Sequence, residues 1–375
     1  MTESTSPAIR RAAIVGTGGI ATAHAAALSE LAGRVELVAG VDIDPARAAA
    51  FAEKWSITRT YPDITSLLEN EELDLVHICT PPGSHVPLAI ACLRAGVTPL
   101  IEKPPALSLA EMDELAAVQR ETGVPVLTVF QHRFGSGAIQ LRSLLERGVL
   151  GRPLIASCDT LWYRDAEYFS VPWRGNWDIE GGGPTMGHGI HQFDLLLSIL
   201  GEWDEVTAVA GRQSRPTDTE DVSAALVRFA NGAIATVINS VVSARETSHL
   251  RFDFEHATVE LDHLYGYSNS NWTVTPAGPD QTITRAWADG MGNNTSGHTS
   301  QIEAILDALD TGAAPGVSLA AARSTMEFVA AVYASSFTGR RIKRGDIGPG
   351  DPFYASMLGS GAPWLAPAEG AGVPA

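Results

Sequence analysis

Hydrophobic residues in the first third of the chain form short, nearly continuous runs, which alternate with stretches of helical periodicity. The runs are Ala12–Val15, Val35–Val41, Leu73–Cys79, Thr98–Ile101 and Val124–Phe130, and the helical stretches cover about 20–31, 45–55, 85–95 and 109–122. Continuous apolar runs are typical of strands buried on both faces, so the alternation predicts a parallel sheet built from βαβ units. Ser108 and Glu111 form a predicted capping box at the start of the last helix.

Beyond about residue 150 the pattern changes to strictly alternating apolar and polar positions. Such stretches lie at about 205–214, 221–229, 233–243 and 249–261. The turn Ala230-Asn231-Gly232 between two of them is a strong hairpin signal. We therefore predict an open, largely antiparallel sheet, which is an α+β arrangement. Two helices, one beginning near Gly187 and one at about 298–312, should flank it, and Leu319–Phe337 predicts a third helix.

A glycine-rich loop separates the first predicted strand from the first predicted helix. The residues Gly16-Thr17-Gly18-Gly19-Ile20-Ala21 match G-x-G-x-x-A in the strand–turn–helix context that the motif requires. Gly16 permits a tight turn, and Gly18 lets the backbone approach a pyrophosphate at the N-terminus of the helix. We therefore predict a doubly wound Rossmann domain that binds a dinucleotide, with Gly16, Gly18, Gly19 and Ile20 at the phosphates.

The acidic residue Asp42 follows the second predicted strand, twenty-six residues after Gly16. A carboxylate at this place can accept the ribose hydroxyls of NAD and repels the 2′-phosphate of NADP. Asp44 could take the same role, although it also suits the N-cap of the helix that starts at Pro45. No Arg or Lys stands beside Asp42, so the sequence favours NAD.

Polar residues follow three of the other predicted strands, at the sheet edge where α/β proteins bind their ligands. They are Thr80-Pro81 with His85, Glu102-Lys103-Pro104, and Gln131-His132-Arg133. We predict cofactor contacts from Thr80, Pro81, His85, Glu102, Lys103 and Gln131, and a substrate contact from Arg133. A satisfied ion pair at the domain rim is the alternative for the Glu102-Lys103 pair.

A second group of candidate residues lies in the run from Glu180 to Asp194, which contains five glycines and two histidines within eleven residues. The pattern places His188 and His191 in the first turns of one helix, where residues three apart share a face. Asp194 is the only third ligand with helical spacing, and Cys158 and His298 are remote. We therefore predict no metal site here.

Six of the chain's 26 aromatic residues lie within 162–177: Trp162, Tyr163, Tyr168, Phe169, Trp173 and Trp177. Aromatic faces beside charged side chains suit a sugar or polyol, and a packed interdomain loop or subunit contact is an equally good interpretation. Trp173 and Arg174 stand immediately before the glycine run, and we predict that these two contact the substrate.

Composition narrows the class of protein. The formal net charge of −17 argues against nucleic acid and against anionic membrane surfaces as partners. The three cysteines are too few for a disulfide framework, which favours a reducing compartment, and we expect a cytoplasmic protein without a spanning helix. Arg10-Arg11 precedes only a short apolar run, so we expect no export signal.

In order and spacing, the glycine loop, Thr80-Pro81 with His85, Glu102-Lys103-Pro104 and the Gly181-Gly182-Gly183 run ending at His191 resemble the Gfo/Idh/MocA family. The resemblance covers nearly the whole chain to about residue 343. It implies a Rossmann domain and an α+β domain whose open sheet often mediates dimers or tetramers, a nicotinamide cofactor, and sugar or cyclitol substrates. It also implies that Lys103 is the active-site lysine and His191 the active-site histidine.

One departure from the family pattern concerns proton transfer. Family members commonly carry Asp four residues before the histidine, where this sequence has Gly187. On a helix His188 would face His191 as well, so His188 is our candidate to replace the missing carboxylate. We expect Lys103, His188 and His191 to be catalytic and to contact substrate, with His191 favoured as the base because imidazole titrates near neutrality.

The complete prediction has three parts along the chain. Residues 1–134 form the NAD-binding Rossmann domain, 135–344 the α+β domain for substrate binding and oligomerisation, and 345–375 an irregular tail rich in Gly, Pro and Ala. The predicted function is hydride transfer between a sugar or cyclitol hydroxyl and NAD, in a homodimer or homotetramer. The alternatives are an NAD-retaining glycosidase or lyase that oxidises its sugar transiently, and a cofactor-binding regulator without turnover.

Overall fold

The computed structural model of the chain describes residues 9–279 and 281–365. The first eight residues of the predicted Rossmann domain, residue 280, and residues 366–375 of the predicted tail lie outside the described residues.

Six parallel strands and five helices form the first layer of the molecule. In chain order they are β1 (Arg10–Val15), α1 (Ala21–Glu30), β2 (Val35–Val41), α2 (Pro45–Trp55), β3 (Arg59–Tyr61), α3 (Ile64–Asn70), β4 (Leu75–Ile78), α4 (His85–Arg94), β5 (Thr98–Ile101), α5 (Leu109–Thr122) and β6 (Leu127–Thr128). The strand order is β3-β2-β1-β4-β5-β6, and every pairing is parallel. This is the doubly wound sheet that the apolar runs predict.

The predicted boundaries of β2, β5, α2 and α5 coincide with the observed ones, whereas β3 and α3 were not predicted. β3 has only three residues, Arg59–Tyr61, at the edge of the sheet, and none of them is buried, so it lacks the apolar signal of its neighbours. At the start of α5 the Ser108 hydroxyl accepts the N–H of Glu111 as predicted. The Glu111 carboxylate reaches one residue further than predicted, to the N–H of Leu107.

The second layer is a mixed eight-stranded sheet with its helices. The elements are α6 (Ser136–Glu146), β7 (Pro153–Tyr163), α7 (Trp177–Glu180), α8 (Pro184–Gly187), α9 (Ile190–Leu200), β8 (Trp203–Gly211), β9 (Val222–Phe229), β10 (Ile234–Ser240), β11 (Val242–Phe254), β12 (Ala257–His263), β13 (Trp272–Pro276), α10 (Thr282–Ala288), α11 (His298–Thr311), α12 (Leu319–Thr338), β14 (Ile342–Lys343) and α13 (Pro352–Ala355). The strand order is β13-β12-β11-β7-β10-β9-β8-β14.

All pairings in this sheet are antiparallel except the one between β10 and β7. The predicted hairpin joins β9 to β10, and Gly232 takes a positive φ of 91° in its turn. The single strand predicted at 249–261 is in fact the end of β11 and most of β12, which pair with each other. Alternation alone did not reveal the turn because both strands keep the same period of two.

One face of this sheet is covered and the other is open. Helices α9 and α12 lie on the covered face, where Phe193, Trp203 and Phe328 meet edge to face in the core. The open face carries exposed apolar side chains from neighbouring strands: Ile155, Val209, Leu226, Ile234 and Ile238. We call this set the open apolar face.

Helix α11 does not flank the second sheet, contrary to the prediction. Its residues Ile302, Ile305 and Leu306 are buried in the same cluster as the side chains of α1. Gln301 accepts the N–H of Phe130 and donates to the carbonyl of Thr128, at the end of β6. The chain therefore returns to the Rossmann layer after the second sheet, which brings His298 to the edge where the cofactor residues lie.

The described part of the predicted irregular tail is partly structured. It contains α13 and buries Phe353 and Met357, and the Tyr354 hydroxyl donates to Asp113 on α5. Among the residues that the structure describes, no helix combines the length and the apolar character needed to cross a bilayer.

Candidate active site

The glycine loop between β1 and α1 has the geometry that a pyrophosphate requires. Gly16 has φ of 87°, and a Cβ there would lie 2.8 Å from the Thr80 side chain and 2.9 Å from the Cys79 backbone. Only glycine fits this close crossing of the two loops. A Cβ at Gly18 or Gly19 would meet nothing within 4 Å. The loop therefore leaves open space beside the N-terminus of α1, where free N–H groups can bind phosphate oxygens.

Asp42 is already held by four groups of the chain. Its Oδ2 accepts from the N–H and the hydroxyl of Thr17, at 3.0 and 2.8 Å, and its Oδ1 accepts from the N–H of Asp44 at 2.9 Å. Burial opposes ionisation, but these hydrogen bonds and Arg47 keep the pKa of Asp42 below its ordinary value. Asp44 caps α2 through the N–H groups of Ala46 and Arg47, so it has the capping role considered above.

Arg47 corrects the expectation that no basic residue stands beside Asp42. Its Nη2 lies 3.1 Å from Asp42 Oδ1, and its side chain is 56% exposed. The first turn of α2 brings Arg47 close to Asp42, which lies five positions earlier. The prediction considered only the residues next to Asp42 in the sequence and therefore missed Arg47. A guanidinium is therefore present beside the carboxylate that the sequence assigns to the ribose.

The loop after β4 is tied to the loop after β5. The two ring nitrogens of His85 lie 2.8 Å from the carbonyl oxygens of Thr80 and Pro104. Pro81 precedes a short 3-10 turn, and the Ser84 hydroxyl donates to Thr80 Oγ1. His85 is buried and acts on the backbone, so it holds the loop of Thr80 and Pro81 against the turn that follows Lys103.

Glu102 is buried in a network of histidines beneath the glycine loop. Its Oε1 lies 2.9 Å from His24 Nε2 and 3.1 Å from His298 Nε2, and its Oε2 accepts the N–H of Lys103 at 3.0 Å. Although burial works in the opposite direction, these contacts hold the pKa of Glu102 well below its ordinary value. The prediction missed His24 and His298 because they come from α1 and α11, far apart in sequence.

Lys103 points away from Glu102 and into the second layer. Its Nζ donates to the carbonyl oxygen of Gly187 at 2.9 Å. Burial lowers the pKa of Lys103, and Arg174 acts in the same direction, whereas the carboxylates of Glu102 and Glu180 offset part of that change. The lysine therefore joins the end of β5 to the glycine run.

The two histidines of the glycine run do not lie in one helix, contrary to the prediction. Helix α8 ends at Gly187, His188 and Gly189 form a break, and α9 starts at Ile190. A helical spacing of three therefore does not describe their relation. Burial is the main cause that lowers the pKa of both imidazoles, and the positive charge of Lys103 acts in the same direction.

The His191 ring faces the site with both nitrogens unpartnered. It is 2% exposed, and neither ring nitrogen has a hydrogen-bond partner among the described residues. It stacks on His132 with a centroid distance of 5.1 Å and packs edge to face on Tyr265. Gln131 donates to the Tyr265 hydroxyl at 2.9 Å. Buried polar atoms normally find partners, so the bare His191 nitrogens indicate a place for a ligand.

His188 belongs to an aromatic group on the opposite side of the lysine. Its Nε2 lies 3.2 Å from the Tyr168 hydroxyl, and its ring packs edge to face on Trp162 at 5.0 Å. Arg174 lies over the rings of Tyr168 and Trp173, 3.8 and 4.4 Å from their centroids. Trp173 and Arg174 thus lie in the same group as His188, and their contact with a substrate stays a prediction.

The aromatic-rich segment divides between this site and the core. Trp177 is buried against Tyr333 and Phe337 and donates to the carbonyl of Asp218. Tyr168 and Trp173 surround Arg174, whereas Trp177 packs inside. The packing interpretation therefore applies to Trp177, and substrate contact by the other aromatic residues stays a prediction.

Arg133 does not point to a substrate, contrary to the prediction. Its Nε and Nη2 donate to the two carboxylate oxygens of Asp194 at 2.6 and 2.5 Å, deep in the structure. Thr325 of α12 donates to the same carboxylate at 3.1 Å. The bidentate pair anchors α9 to the end of β6, so Asp194 and Arg133 both have structural roles.

Glu180 has no predicted role, but in the structure its carboxylate lies beside Gly175 and Arg174. The N–H of Gly175 donates to its Oε2 at 2.6 Å, and Arg174 Nη1 lies 3.7 Å from its Oε1. Burial raises the pKa of Glu180, and Gly175, Arg174 and Lys103 offset part of that rise. The sequence did carry a signal, since Glu180 is the only carboxylate in 179–190.

A cleft of about 340 Å³ opens beside Tyr265, whose ring packs on His191. It is lined by Gln131, Tyr265, Ser268, Asn271, Thr295 and His298 among others. The cleft thus lies between the end of β6, the loop after β12 and the start of α11, next to the ring of His191.

Two family models match this chain. The oxidoreductase family with an NAD-binding Rossmann fold, Gfo/Idh/MocA, matches residues 10–130, and the Gfo/Idh/MocA C-terminal domain matches residues 138–260. D-glucoside 3-dehydrogenase of Escherichia coli is 27% identical over 369 residues, which cover 89% of this chain and 97% of that protein. Myo-inositol 2-dehydrogenase of Thermotoga maritima is 29% identical over 237 residues, 61% of this chain and 68% of that protein.

The fold is also that of a solved structure. The WlbA dehydrogenase of Bordetella pertussis, in complex with NADH and UDP-GlcNAcA, superposes with a TM-score of 0.80 at 24% identity, over 90% of this chain and 99% of that one. This superposition confirms the predicted fold class. The match to the family model with an NAD-binding Rossmann fold confirms the predicted nicotinamide cofactor. With both family models matched in order, the chain belongs to the Gfo/Idh/MocA family of NAD-binding oxidoreductases.

Proposed function

We propose that this chain oxidises a secondary hydroxyl of a sugar or cyclitol and transfers the hydride to NAD⁺. The observation that carries the proposal is the convergence of Lys103 with the unpartnered nitrogens of His191 at the ligand-binding edge of an NAD-binding sheet. Relatives over much of the chain are a D-glucoside 3-dehydrogenase and a myo-inositol 2-dehydrogenase. Both named substrates are polyols with secondary hydroxyls, which supports this substrate class.

The cofactor residues have separate tasks. Gly16, Gly18, Gly19 and Ile20 cradle the pyrophosphate, Asp42 accepts a ribose hydroxyl, and Thr80, Pro81 and Gln131 border the nicotinamide half. His85 and Glu102 support these residues instead of contacting the cofactor. The His85 ring binds the loops after β4 and β5, and the Glu102 carboxylate accepts the N–H of Lys103. When bound, NAD⁺ supplies the acceptor for the hydride that leaves the carbinol carbon.

The proton has to leave the same hydroxyl, and Lys103 is the better acceptor. A general base works best with a pKa near the operating pH. Burial moves the pKa of Lys103 down towards that range, whereas burial and Lys103 move the pKa of His191 well below it. This reverses our preference for His191. We assign His191 to a hydrogen bond with the reacting oxygen, as a neutral imidazole.

The aromatic side of the site suits the rest of the substrate. Trp173 and Tyr168 offer flat apolar faces for sugar C–H groups, and Arg174 offers hydrogen-bond donors between them. His188 keeps one unpartnered nitrogen, Nδ1, for a substrate hydroxyl. His188, Trp173 and Arg174 therefore bind the substrate in this proposal, and Arg133 does not.

A panel assay tests the proposal. Purified protein is denatured to identify any released nucleotide, and the native protein is supplied with NAD⁺ and a series of inositols, aldoses and glycosides. Absorbance of reduced nicotinamide is followed for the wild type and for His191→Asn. Net NADH formation that falls at least tenfold in the variant supports the proposal. Glycoside cleavage without net NADH would support the redox-neutral alternative, which the dehydrogenase relatives do not favour. Nucleotide release without any turnover would support a regulator.

We also propose how the chain is organised and assembled. The Rossmann domain spans 1–134, the α+β domain 135–344 with α11 returning to the first domain, and 345–375 forms the tail. The open apolar face is the surface by which two copies pair, since exposed apolar patches mark such interfaces. Light scattering on the variants Leu226→Lys and Ile234→Lys should show that the paired copies dissociate. An unchanged molecular mass would show that the open apolar face is not the interface. A cytoplasmic location agrees with three buried, free cysteines.

A further inference from the structure

The lysine of the site reaches a residue that has no side chain. Lys103 Nζ donates to the backbone carbonyl of Gly187 at 2.9 Å. A carbonyl can accept a hydrogen bond but supplies no net charge. The ammonium form of a buried lysine needs a nearby anion to be stable, and Gly187 does not provide one.

The carboxylate of Glu180 lies where a side chain at position 187 would project. A Cβ built on Gly187 would have a single non-neighbouring atom within 4 Å, the Oε1 of Glu180 at 3.7 Å. Glu180 and Lys103 therefore approach the same residue from different elements, α7 and the end of β5. The carboxylate of a side chain from seven residues earlier therefore borders this place.

Glu180 is fixed in this orientation by its other contacts. Its Oε2 accepts the N–H of Gly175 at 2.6 Å, and Arg174 Nη1 stands 3.7 Å from Oε1. The side chain is 10% exposed. One oxygen is thus anchored to the backbone, while the other faces Gly187 and the cationic groups.

We propose that Glu180 is the positioning residue of Lys103, and that it supplies from α7 the carboxylate that Gly187 lacks. The proposal deepens the proposed function and rests on it for the chemical role of the lysine. During oxidation, the hydroxyl proton moves to the lone pair of Lys103 Nζ, while the carbinol hydride leaves for NAD⁺. Lys103 becomes an ammonium ion, and the fixed charge of Glu180 stabilises it at that moment.

Other groups near Lys103 cannot take this role. The charged side chains that shift the pKa of Lys103 are Glu102, Glu180 and Arg174. Lys103 in turn lowers the pKa of four imidazoles: His85, His132, His188 and His191. Glu102 is engaged by His24, His298 and the Lys103 N–H. His188 is held neutral because burial, with Lys103 as the next cause, keeps its pKa well below the ordinary value. A neutral imidazole brings no negative charge, so His188 does not replace the missing carboxylate.

The chain offers a direct test because it contains only three lysines, Lys54, Lys103 and Lys343. Protein labelled with ¹³C at lysine Cε is titrated by NMR, without substrate, and the signal of Lys103 is assigned with Lys103→Arg. Lys54 and Lys343 are exposed and serve as internal references. Glu180→Gln keeps the size of the side chain and an oxygen for Gly175. We expect it to lower the pKa of Lys103 by about one unit, as loss of a close opposite charge does.

Matched variants separate charge from structure. Asp178→Asn removes an exposed carboxylate from the same short helix and should leave the Lys103 titration unchanged. Glu180→Gln combined with Gly187→Asp returns a carboxylate to the site from α8 and should restore most of the shift. A Lys103 titration that is the same in wild type and Glu180→Gln overturns the proposal. If Glu180→Gln does not fold, Glu180→Asp carries the test: a retracted carboxylate should give a smaller lowering, and no change overturns the proposal.

The kinetic arm distinguishes this proposal from the proposed function. With an active substrate, Glu180→Gln should lower kcat about 10- to 100-fold. It should also move the rising limb of kcat/KM against pH to lower pH, and the Gly187→Asp double variant should reverse both changes. A merely structural role would lower activity equally at all pH values. If no sugar or cyclitol yields NADH, the proposed function fails, while the NMR titration still decides whether Glu180 acts on Lys103.

Discussion

The two sides of the candidate active site are built in different ways. On the cofactor side, the geometry comes from the backbone: Gly16 allows β1 and β4 loops to cross, and Gly18 leaves room for phosphates. On the substrate side, the geometry comes from side chains of distant segments that meet, such as Lys103 and Glu180 at Gly187. A binding site formed by backbone groups can be recognised from a short sequence motif. A side-chain site depends on how two layers pack, and local sequence describes it less completely.

The two sides also differ in how far their polar groups are satisfied. Asp42 on the cofactor side has hydrogen bonds to both oxygens from Thr17 and Asp44. His191 on the substrate side has none at either nitrogen among the described residues. Unsatisfied buried groups cost free energy, so the unpartnered side chains of the substrate side are available to bind a ligand. We therefore expect substitutions on that side to affect catalysis most.

The largest effect should follow from removing the reactive group of the substrate side. Lys103→Met keeps the apolar stem and removes the amine, so we expect kcat to fall about 10²- to 10⁴-fold, as for loss of a general base. NAD binding measured by calorimetry should stay within a few-fold. If kcat survives and only KM rises, Lys103 binds the substrate and the base lies elsewhere.

The next largest effect should follow from breaking the ion pair between Arg133 and Asp194, which joins the end of β6 to α9. Arg133→Met leaves the Asp194 carboxylate buried without its bidentate partner, and we expect a loss of about 3–5 kcal/mol in the free energy of unfolding. Urea unfolding measures it, with the exposed Arg147→Met on the surface after α6 as the control. A folded variant with unchanged stability and a raised KM would indicate instead that Arg133 contacts the substrate.

A smaller effect should separate two glycines of the cofactor side. Gly16→Ala forces a Cβ against Thr80 at a positive φ, which should cost about 1–3 kcal/mol of stability. Gly18→Ala meets no protein atom, so its stability should match that of Gly33→Ala, which also points into open space. We expect Gly18→Ala to weaken NAD binding about tenfold, a loss of about 1.4 kcal/mol. Equal melting temperatures for Gly16→Ala and Gly33→Ala would contradict the crossing-loop account.

The smallest effect concerns the choice of dinucleotide. NAD should bind at least about tenfold more tightly than NADP in the wild type, because Asp42 repels a phosphate dianion. Asp42→Ser removes that charge and frees Arg47, which lies 3.1 Å away, so we expect the preference to fall by about tenfold or more. Calorimetric titrations of both nucleotides measure it. If Asp42→Ser and Asp42→Ser/Arg47→Ala show the same preference, Arg47 has no part in it.

The sequence predicted the parts of the fold that local periodicity and short motifs specify. Helices α2 and α5 and strands β2 and β5 have the predicted bounds, and the glycine loop has the predicted geometry. β3 was missed because a short edge strand with no buried residue lacks an apolar run. Helix α11 was assigned to the wrong layer because an amphipathic pattern shows that a helix is half-buried but not what it packs against.

The same reasoning explains which site residues were predicted. Lys103 and His191 were predicted from their place in motifs that resemble those of the family, and their catalytic roles stay a prediction. Arg133 was assigned to the substrate because its position at a strand end does not reveal that Asp194 pairs with it. Glu180 was overlooked because its neighbours in space, Gly187 and Lys103, approach it only after the chain folds.

In the proposed function, Lys103 and His191 serve a hydride transfer from a carbinol carbon to the nicotinamide. The most direct measurement follows the hydrogen itself. The best substrate of the panel is prepared with deuterium on the carbon to be oxidised, and the nicotinamide product is analysed by mass spectrometry after reaction with wild type and Lys103→Met. The account predicts one deuterium per NADH formed, a slowed reaction with the deuterated substrate, and almost no labelled NADH from the variant. Deuterium that stays in the sugar or appears in water, with no labelled NADH, would contradict it.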